Sequence, residues 1–271
     1  MMALPPLLRA YADRLIQKGY QVVVVGGAVR DFLLGRLVQD YDLATNASPT
    51  VLQTVFPEAK RVRSLYGTME LTSSIQLSSF RKESHYTDYR HPDFVSFDAT
   101  LSQDLARRDF TVNAMAYEVS SNQIVDLFQG KQDIVQKILR CVGDPDLKFS
   151  QDTLRLFRLC RFAAQLSFCV EDHTASSALR HAGQLPLPSP QSIQKELMAL
   201  LSTQWPNQGL FLLHQWGLLE RLGPAWSMLT PRVFDGLNDL SPNKRWQFLI
   251  NVAGISLLKN FPKAFIKQVI E

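Results

Sequence analysis

Apolar residues follow two different rhythms along this chain. In the first half the runs are short. Val22–Val25 is an unbroken β-branched tetrad, the mark of a buried strand. Gly26 and Gly27 interrupt it, and Ala28 to Leu34 reads as a helix that stops at Gly35. QDYDLAT then alternates Asp40 and Asp42 with Tyr41 and Leu43. In a strand both carboxylates would point one way, with their Cα atoms roughly 6.6 Å apart. Ser48 and Pro49 form an N-cap with proline at the first helical position, which predicts a helix to about Phe56. GTMELTSSIQLSSFR predicts two strands joined near Ser73-Ser74, PDFVSFDAT another, and NQIVDLF a last one. Near the start, the spacing of Leu7, Leu8, Tyr11 and Leu15 predicts an amphipathic helix.

From about Asp144 the rhythm is helical. QDTLRLFRLCRFAAQL sets Leu154, Phe157, Arg161 and Leu166 at helical spacings with no breaker, and predicts one long helix. EDHTASSALRHAG, SIQKELMALL, NQGLFLLHQWGLLERL, NKRWQFLINVAGISLLKN and PKAFIKQVI continue the pattern, with proline-rich punctuation at QLPLPSP. The organisation is a mixed α/β head followed by an all-helical half, with no internal repeat.

Composition narrows this only a little. With 271 residues, 46% hydrophobic and 20% charged, the chain has the make-up of a soluble globular protein of two or more packing units. No apolar run approaches the roughly 20 residues that span a bilayer, and the N-terminus does not read as a signal peptide. Three cysteines without a CxxC pair favour reduced thiols and a cytoplasmic home. A net charge of +4 and a pI of about 9.0 permit nucleic acid without requiring it. Lys60-Arg61-Val62-Arg63, Arg81-Lys82, Arg107-Arg108 and Arg155/Arg158/Arg161 are basic groups that one surface could gather.

Three places carry candidate chemistry. A strand–Gly-Gly–helix junction aims free backbone N–H groups at its contents and lets phosphates approach closely, with Arg30 in the first helical turn. Alone it is as well read as a tight structural turn. Followed 13 to 15 residues later by an on-strand DxD, it points to metal-dependent nucleotidyl transfer, one ion activating the attacking hydroxyl and one neutralising pyrophosphate. The second place is LARRDFTVNAMAY, a capped helix with solvated arginines on one reading. On the other, Arg107 and Arg108 meet phosphates and Asp109 accepts from a ribose hydroxyl. The third is Asp152 with Arg155, three apart on one helical face. They make either a surface salt bridge of about 0.2–0.5 kcal/mol or a reader of bases. A carboxylate accepts from the exocyclic amine of cytosine or adenine, and a guanidinium donates to the adjacent ring nitrogen. Uracil and guanine present the opposite pattern and leave buried groups unpaired. Arg158 would stack on the base.

Taken together, GGAVRDFLLGR…DYDLAT, RRDFTVNAMAY, DLFQGKQDIVQKILRCVGDP and DTLRLFRLCRFAAQL, in that order, resemble the tRNA nucleotidyltransferase/poly(A) polymerase family, in its bacterial branch. The resemblance runs from about Val22 to about Leu222. It implies an α+β fold: a polymerase-β-like head over residues 1–143 with a small mixed sheet and flanking helices, a helical neck over 144–223, and a partial helical body over 224–271 without the tail. It implies addition of CCA to tRNA 3′ ends from CTP and ATP. Asp40 and Asp42 would be the catalytic residues and the ligands of Mg²⁺. Nucleotide binding would fall to Gly26, Gly27, Arg30, Arg107, Arg108, Asp109, Asn113, Asp152, Arg155, Arg158 and Arg161. The tRNA acceptor end would be held chiefly through its phosphates.

Several positions depart from the family pattern. Gln76 stands where the family often has a glutamate, and Glu70, across a two-residue turn, is expected opposite Leu77 on the other face. Gln151 replaces the Glu of the usual Glu-Asp, and Ser189-Pro190-Gln191-Ser192-Ile193 lacks the usual Glu-Arg. These departures and the short C-terminus predict weakened or narrowed activity and weaker tRNA binding. CC-adding, A-adding and poly(A) enzymes share the motifs, and RKESHYTDYRHPDF, which bears on the choice, is not decodable. The contrasting class is a noncatalytic RNA-binding remnant.

Overall fold

The computed structural model describes residues 2–259, Phe261 and Pro262, with backbone alone for residues 61–64 and 255. The helix expected at PKAFIKQVI lies past Pro262, outside the described residues, as do the side chains of Arg61 and Arg63. The chain divides into two compact units. The first comprises Met1–His85, Pro92–Gln136 and Arg140–Gly143, and the second Tyr86–His91, Lys137–Leu139 and Asp144–Glu271.

The first unit is built on a seven-stranded mixed sheet. Its strands are β1 (Val22–Val25), β2 (Tyr41–Thr45), β3 (Lys60–Arg63), β4 (Thr68–Thr72), β5 (Ile75–Ser79), β8 (Met115–Glu118) and β9 (Ile124–Asp126), in the order β3-β4-β5-β2-β1-β8-β9. All neighbours are antiparallel except β2 and β5. A separate hairpin pairs β6 (Lys82–Ser84) with β7 (Phe94–Ser96). Strand β1 is buried at all four positions, because both faces of the sheet are covered there. Burying each valine side chain contributes about 1.5–3 kcal/mol over leaving it exposed. Val22, Val24, Tyr41, Leu43, Met69, Ile75, Leu77 and Tyr117 share a core with α1 (Pro6–Ile16) and α3 (Pro49–Val55). Val23, Val25, Ala44 and Ala116 share a smaller one with Phe80, Ala99 and Leu105 of α4 (Leu101–Ala106). In β2, Asp42 is exposed between buried Tyr41 and Leu43, and Gln76 is exposed likewise in β5. The face they share is therefore open beside the smaller core. Leu7 is exposed although the amphipathic pattern included it, while Leu8 and Leu15 are buried.

Two expectations change here. The apolar stretch after RRDFTVN is no helix. A single 3₁₀ turn, Thr111–Asn113, leads into β8, whose pairing with β1 overrides local propensity. The other change is the register of Glu70. It pairs with Gln76, not Leu77, because an irregularity between Glu70 and Thr72 inserts a residue at the turn.

The second unit is helical. It holds α6 (Pro145–Gln151), α7 (Leu154–Leu166), α8 (Asp172–Ala182), α9 (Pro190–Leu201), α10 (Pro206–Gln215), α11 (Leu218–Leu222), α12 (Pro224–Ser227), α13 (Pro231–Asp235) and α14 (Pro242–Ala253). Helices α2 (Gly27–Leu33) and α5 (Gly130–Gln136) belong to the first unit. The single long helix expected from Gln151 is broken. Asp152 is extended (φ −146°, ψ 103°) and its Oδ1 accepts the Leu154 N–H at 3.0 Å, so it ends α6 one residue before Thr153, the N-cap position of α7. Helix α10 lies close on α7. A Cβ at Gly209 would stand 2.6 Å from the Cys160 carbonyl oxygen and 2.8 Å from Leu200 Cδ1. Buried Arg245 of α14 donates to the carbonyls of Leu237, Leu201 and Thr203 at 2.9, 2.6 and 2.5 Å, tying α14 to the end of α9.

Candidate active site

The site of the first unit forms where β1 ends. Gly26 takes φ +73° and ψ −134°, a conformation that essentially only glycine adopts without strain. Val25 pairs with Asp42, so the turn lies beside that carboxylate. A Cβ at Gly26 would be 3.1 Å from Arg108 Nη1, 3.9 Å from Asp42 Oδ2 and 4.0 Å from the Asn113 carbonyl oxygen. The missing side chain thus keeps open a small space between a guanidinium and a carboxylate. Gly27 is the first residue of α2, without a positive φ. At seven residues α2 offers little dipole, so the positive charge at the turn comes mainly from Arg108.

RRDFTVN folds around this turn as a network, and its arginines are not solvated. Arg107 donates to buried Asp104 through Nε and Nη2 at 3.0 and 2.8 Å, and Arg108 does so through Nη2 at 3.1 Å. Burial alone would raise the Asp104 pKa, but Arg108 and Arg107 outweigh it and hold the carboxyl below its usual range. Arg30 is 4% exposed. It is spent on Asp31, through Nε and Nη2 at 2.9 Å each, and on Asn113 Oδ1 at 2.7 Å. Asn113 donates in turn to Asp109 Oδ1 at 3.3 Å, which also accepts the Phe110 N–H at 2.8 Å. Arg30 therefore braces Asp109 through Asn113.

The acidic positions lie in a row. Val25, Asp42, Gln76 and Glu70 are successive partners across β1, β2, β5 and β4, and cross-strand partners share a face. Asp40, also exposed, immediately precedes β2. Among the described residues no three His, Cys, Asp or Glu side chains stand close enough together to cage a metal. The donor set nonetheless suits Mg²⁺, which commonly takes one or two carboxylates and completes its shell with water and substrate phosphates. Exposed hard oxygens beside an open turn meet that description.

In the second unit, Asp152 and Arg155 are nearly buried, at 9% and 7% exposure. They are no helical-face pair, since Asp152 stands outside α7. Arg155 Nη1 donates to the Lys148 carbonyl at 2.8 Å and to Gln151 Oε1 at 3.2 Å, which fixes its direction. Burial holds the Asp152 carboxyl above its usual range, against the pull of Arg90 and Arg155. Arg90 is the residue that sequence reasoning missed. It ion-pairs with Asp152 Oδ2, and the Tyr89 carbonyl accepts the Thr153 N–H at 3.0 Å. Nothing in the pattern of RKESHYTDYRHPDF marks it. Arg161 is engaged by Glu196 at 2.6 Å and Gln165 at 2.7 Å, and stacks on Phe162 at 3.8 Å. Arg158 lies 3.8 Å from Glu196 and 5.3 Å from the Phe162 ring centroid. Cys141 and Cys160 are buried free thiols and Cys169 an exposed one.

Known proteins resemble this chain over most of its length. Residues 22–140 match the family profile of the poly A polymerase head domain. The CCA-adding enzyme of Levilactobacillus brevis is 38% identical over 79% of this chain and 54% of its own length. That of a Geobacillus species is 35% identical over 94% of this chain and 66% of its own. The chain thus spans roughly half to two thirds of the curated relatives it matches. The crystal structure of the Bacillus stearothermophilus CCA-adding enzyme in complex with CTP superposes with a TM-score of 0.80 at 28% identity, over 98% of this chain and 69% of that one. By fold, by the order of its motifs and by these relatives, this chain belongs to the tRNA nucleotidyltransferase/poly(A) polymerase family.

Proposed function

We propose that this chain adds CCA to tRNA 3′ ends in the cytoplasm, taking CTP and ATP as donors and Mg²⁺ as cofactor. The observation that carries the proposal is the exposed Asp42 carboxylate beside the Gly26 turn, with the Arg108 guanidinium on the same turn.

Each group has work suited to its surroundings. Gly26 leaves room for phosphate oxygens to approach the backbone, and Arg108 offsets their charge. Asp109, braced by Asn113 and Arg30, accepts from a ribose hydroxyl of the nucleotide. Asp40 and Asp42 hold Mg²⁺, with Gln76 a neutral neighbour on the same face. When bound, such ions lower the pKa of the attacking 3′-hydroxyl and neutralise the departing pyrophosphate. Asp152 accepts from the exocyclic amine of cytosine or adenine while Arg155 donates to the ring nitrogen. An ionised carboxylate offers about four lone-pair positions. Asp152 can therefore keep Leu154 and Arg90 and still receive the amine. A base with carbonyl and N–H reversed would meet acceptor with acceptor and donor with donor, at a cost of about 1–3 kcal/mol per buried unpaired group.

The test uses the purified chain, Mg²⁺ and three tRNA transcripts ending before CCA, after CC and after CCA, with CTP and ATP separately and together. Extension of the first by C, C and A followed by a stop is the expected result. Arrest after CC, use of only the CC-ended transcript, or an unbounded A ladder would replace it with the CC-adding, A-adding or poly(A) reading. RNA binding without any incorporation would make the chain a binding remnant.

A further inference from the structure

We infer that Asp104 is a positioning residue for nucleotide binding: it aims Arg108 at the Gly26 turn. The inference rests on the nucleotidyl-transfer reading above and concerns a residue that none of the motifs includes.

Asp104 is wholly buried in the first turn of α4. A buried carboxylate is tolerated when it is paired and hydrogen-bonded. Arg107 and Arg108, three and four positions on, both reach it, and its Oδ1 also accepts the Arg81 backbone N–H at 3.3 Å. The charges around it are divided unequally. Glu83 takes the Arg81 side chain at 2.6 Å and Arg107 at 3.5 Å, so those two arginines share two carboxylates. Arg108 is held at one end only, through Nη2 to Asp104 Oδ2 at 3.1 Å. Its Nη1 faces the turn, 3.1 Å from the place a Gly26 Cβ would fill, and its Nε is buried without a hydrogen-bond partner.

A residue that served packing alone would not need this asymmetry. The anchor fixes where the guanidinium points and leaves the edge toward Gly26 for another group. An arginine side chain otherwise samples many rotamers, and ordering it in advance removes that cost from binding. On this account Asp104 acts on the nucleotide only through Arg108, and only on its phosphates.

The experiment compares wild type, Asp104→Asn, Arg108→Gln and the double variant. Affinity for CTP is measured by calorimetry, affinity for cytidine by ligand-observed NMR, and folding by thermal melting. We expect Asp104→Asn to weaken CTP about tenfold and cytidine less than twofold. In the Arg108→Gln background the same substitution should weaken CTP less than twofold, since a pair acting as one unit is not additive. Equal losses for CTP and cytidine, or multiplying losses in the double variant, overturn the positioning role. If Asp104→Asn does not fold, Asp104→Glu, which keeps the charge but moves it by one methylene, carries the same comparison. A wild-type chain that binds no CTP overturns the nucleotide reading along with this one. Wild-type binding with Asp104→Asn unchanged overturns this one alone.

Discussion

Replacing Gly26 by alanine tests the turn through both stability and binding. At φ +73° and ψ −134° an L-residue is strained, by about 1–3 kcal/mol. The added Cβ would stand 3.1 Å from Arg108 Nη1, tighter than ordinary contact. That neighbour is the far end of a side chain and need give by only a few tenths of an ångström, which leaves its Asp104 anchor in place. The structural cost is therefore mostly the backbone term, a fall in melting temperature of about 2–10 °C for a chain of this size. The functional cost is separate. With the space between Arg108 and Asp42 filled, CTP affinity should fall about tenfold or more. Gly27→Ala is the control, since Gly27 lacks a positive φ and its nearest neighbour, Arg30 Nη2, is 3.4 Å away. Its melting temperature and CTP affinity should stay near wild type. Melting followed by fluorescence and titration calorimetry with CTP read the two effects separately. A Gly26→Ala chain that melts within a degree of wild type and binds CTP as well would refute the reasoning.

Three further outcomes are expected. Asp152 holds its proton more tightly in the folded chain than in the unfolded one, so its contribution to stability is full below the ordinary carboxylate range and is lost as pH rises through its folded pKa. The melting temperature of Asp152→Asn relative to wild type should therefore climb between pH 4 and pH 7 while the choice of CTP and ATP over UTP and GTP is lost. A falling difference would contradict the burial argument. Asp146 is the reverse case. Hydrogen bonds from Ser177 and Arg180 lower its pKa to about 2, so its small surface contribution is present above the ordinary carboxylate range and is lost as pH falls toward 2. Asp146→Asn should flatten the wild-type fall in melting temperature between pH 4 and pH 2, and an unchanged acid profile would refute this. Gly209→Ala should destabilise the helical unit by about 1–2 kcal/mol in urea unfolding, because overpacking costs about 1–3 kcal/mol and exceeds the helix propensity gained. A stabilised variant would mean that α7 and α10 separate freely.

What could be read from the sequence depended on how local the signal was. Val22–Val25, the Gly26 turn and the Ser48 cap are local, and each lies where the pattern put it. The strand at Met115–Glu118 is hidden in the sequence because Ala114, Met115 and Ala116 favour helix, and only pairing with β1 makes Met115–Glu118 extended. The break at Asp152 and the register of Glu70 depend on single irregular residues, which periodicity averages away. Among the candidate site residues, the outward position of Asp42 and the turn at Gly26 were legible because a strand alternates and a turn needs glycine. The bracing part of Arg30 and the Asp152–Arg90 pair were not, since they join residues 83 and 62 positions apart.

The most direct measurement is incorporation of labelled CMP into a tRNA transcript ending before CCA, by wild type and by Asp42→Asn, with melting and RNA binding measured on the same samples. The account predicts incorporation by wild type and a loss of about a hundredfold or more in the variant, with folding and RNA binding unchanged, because Asp42 lies exposed on an open sheet face. Comparable incorporation by the two proteins would contradict it.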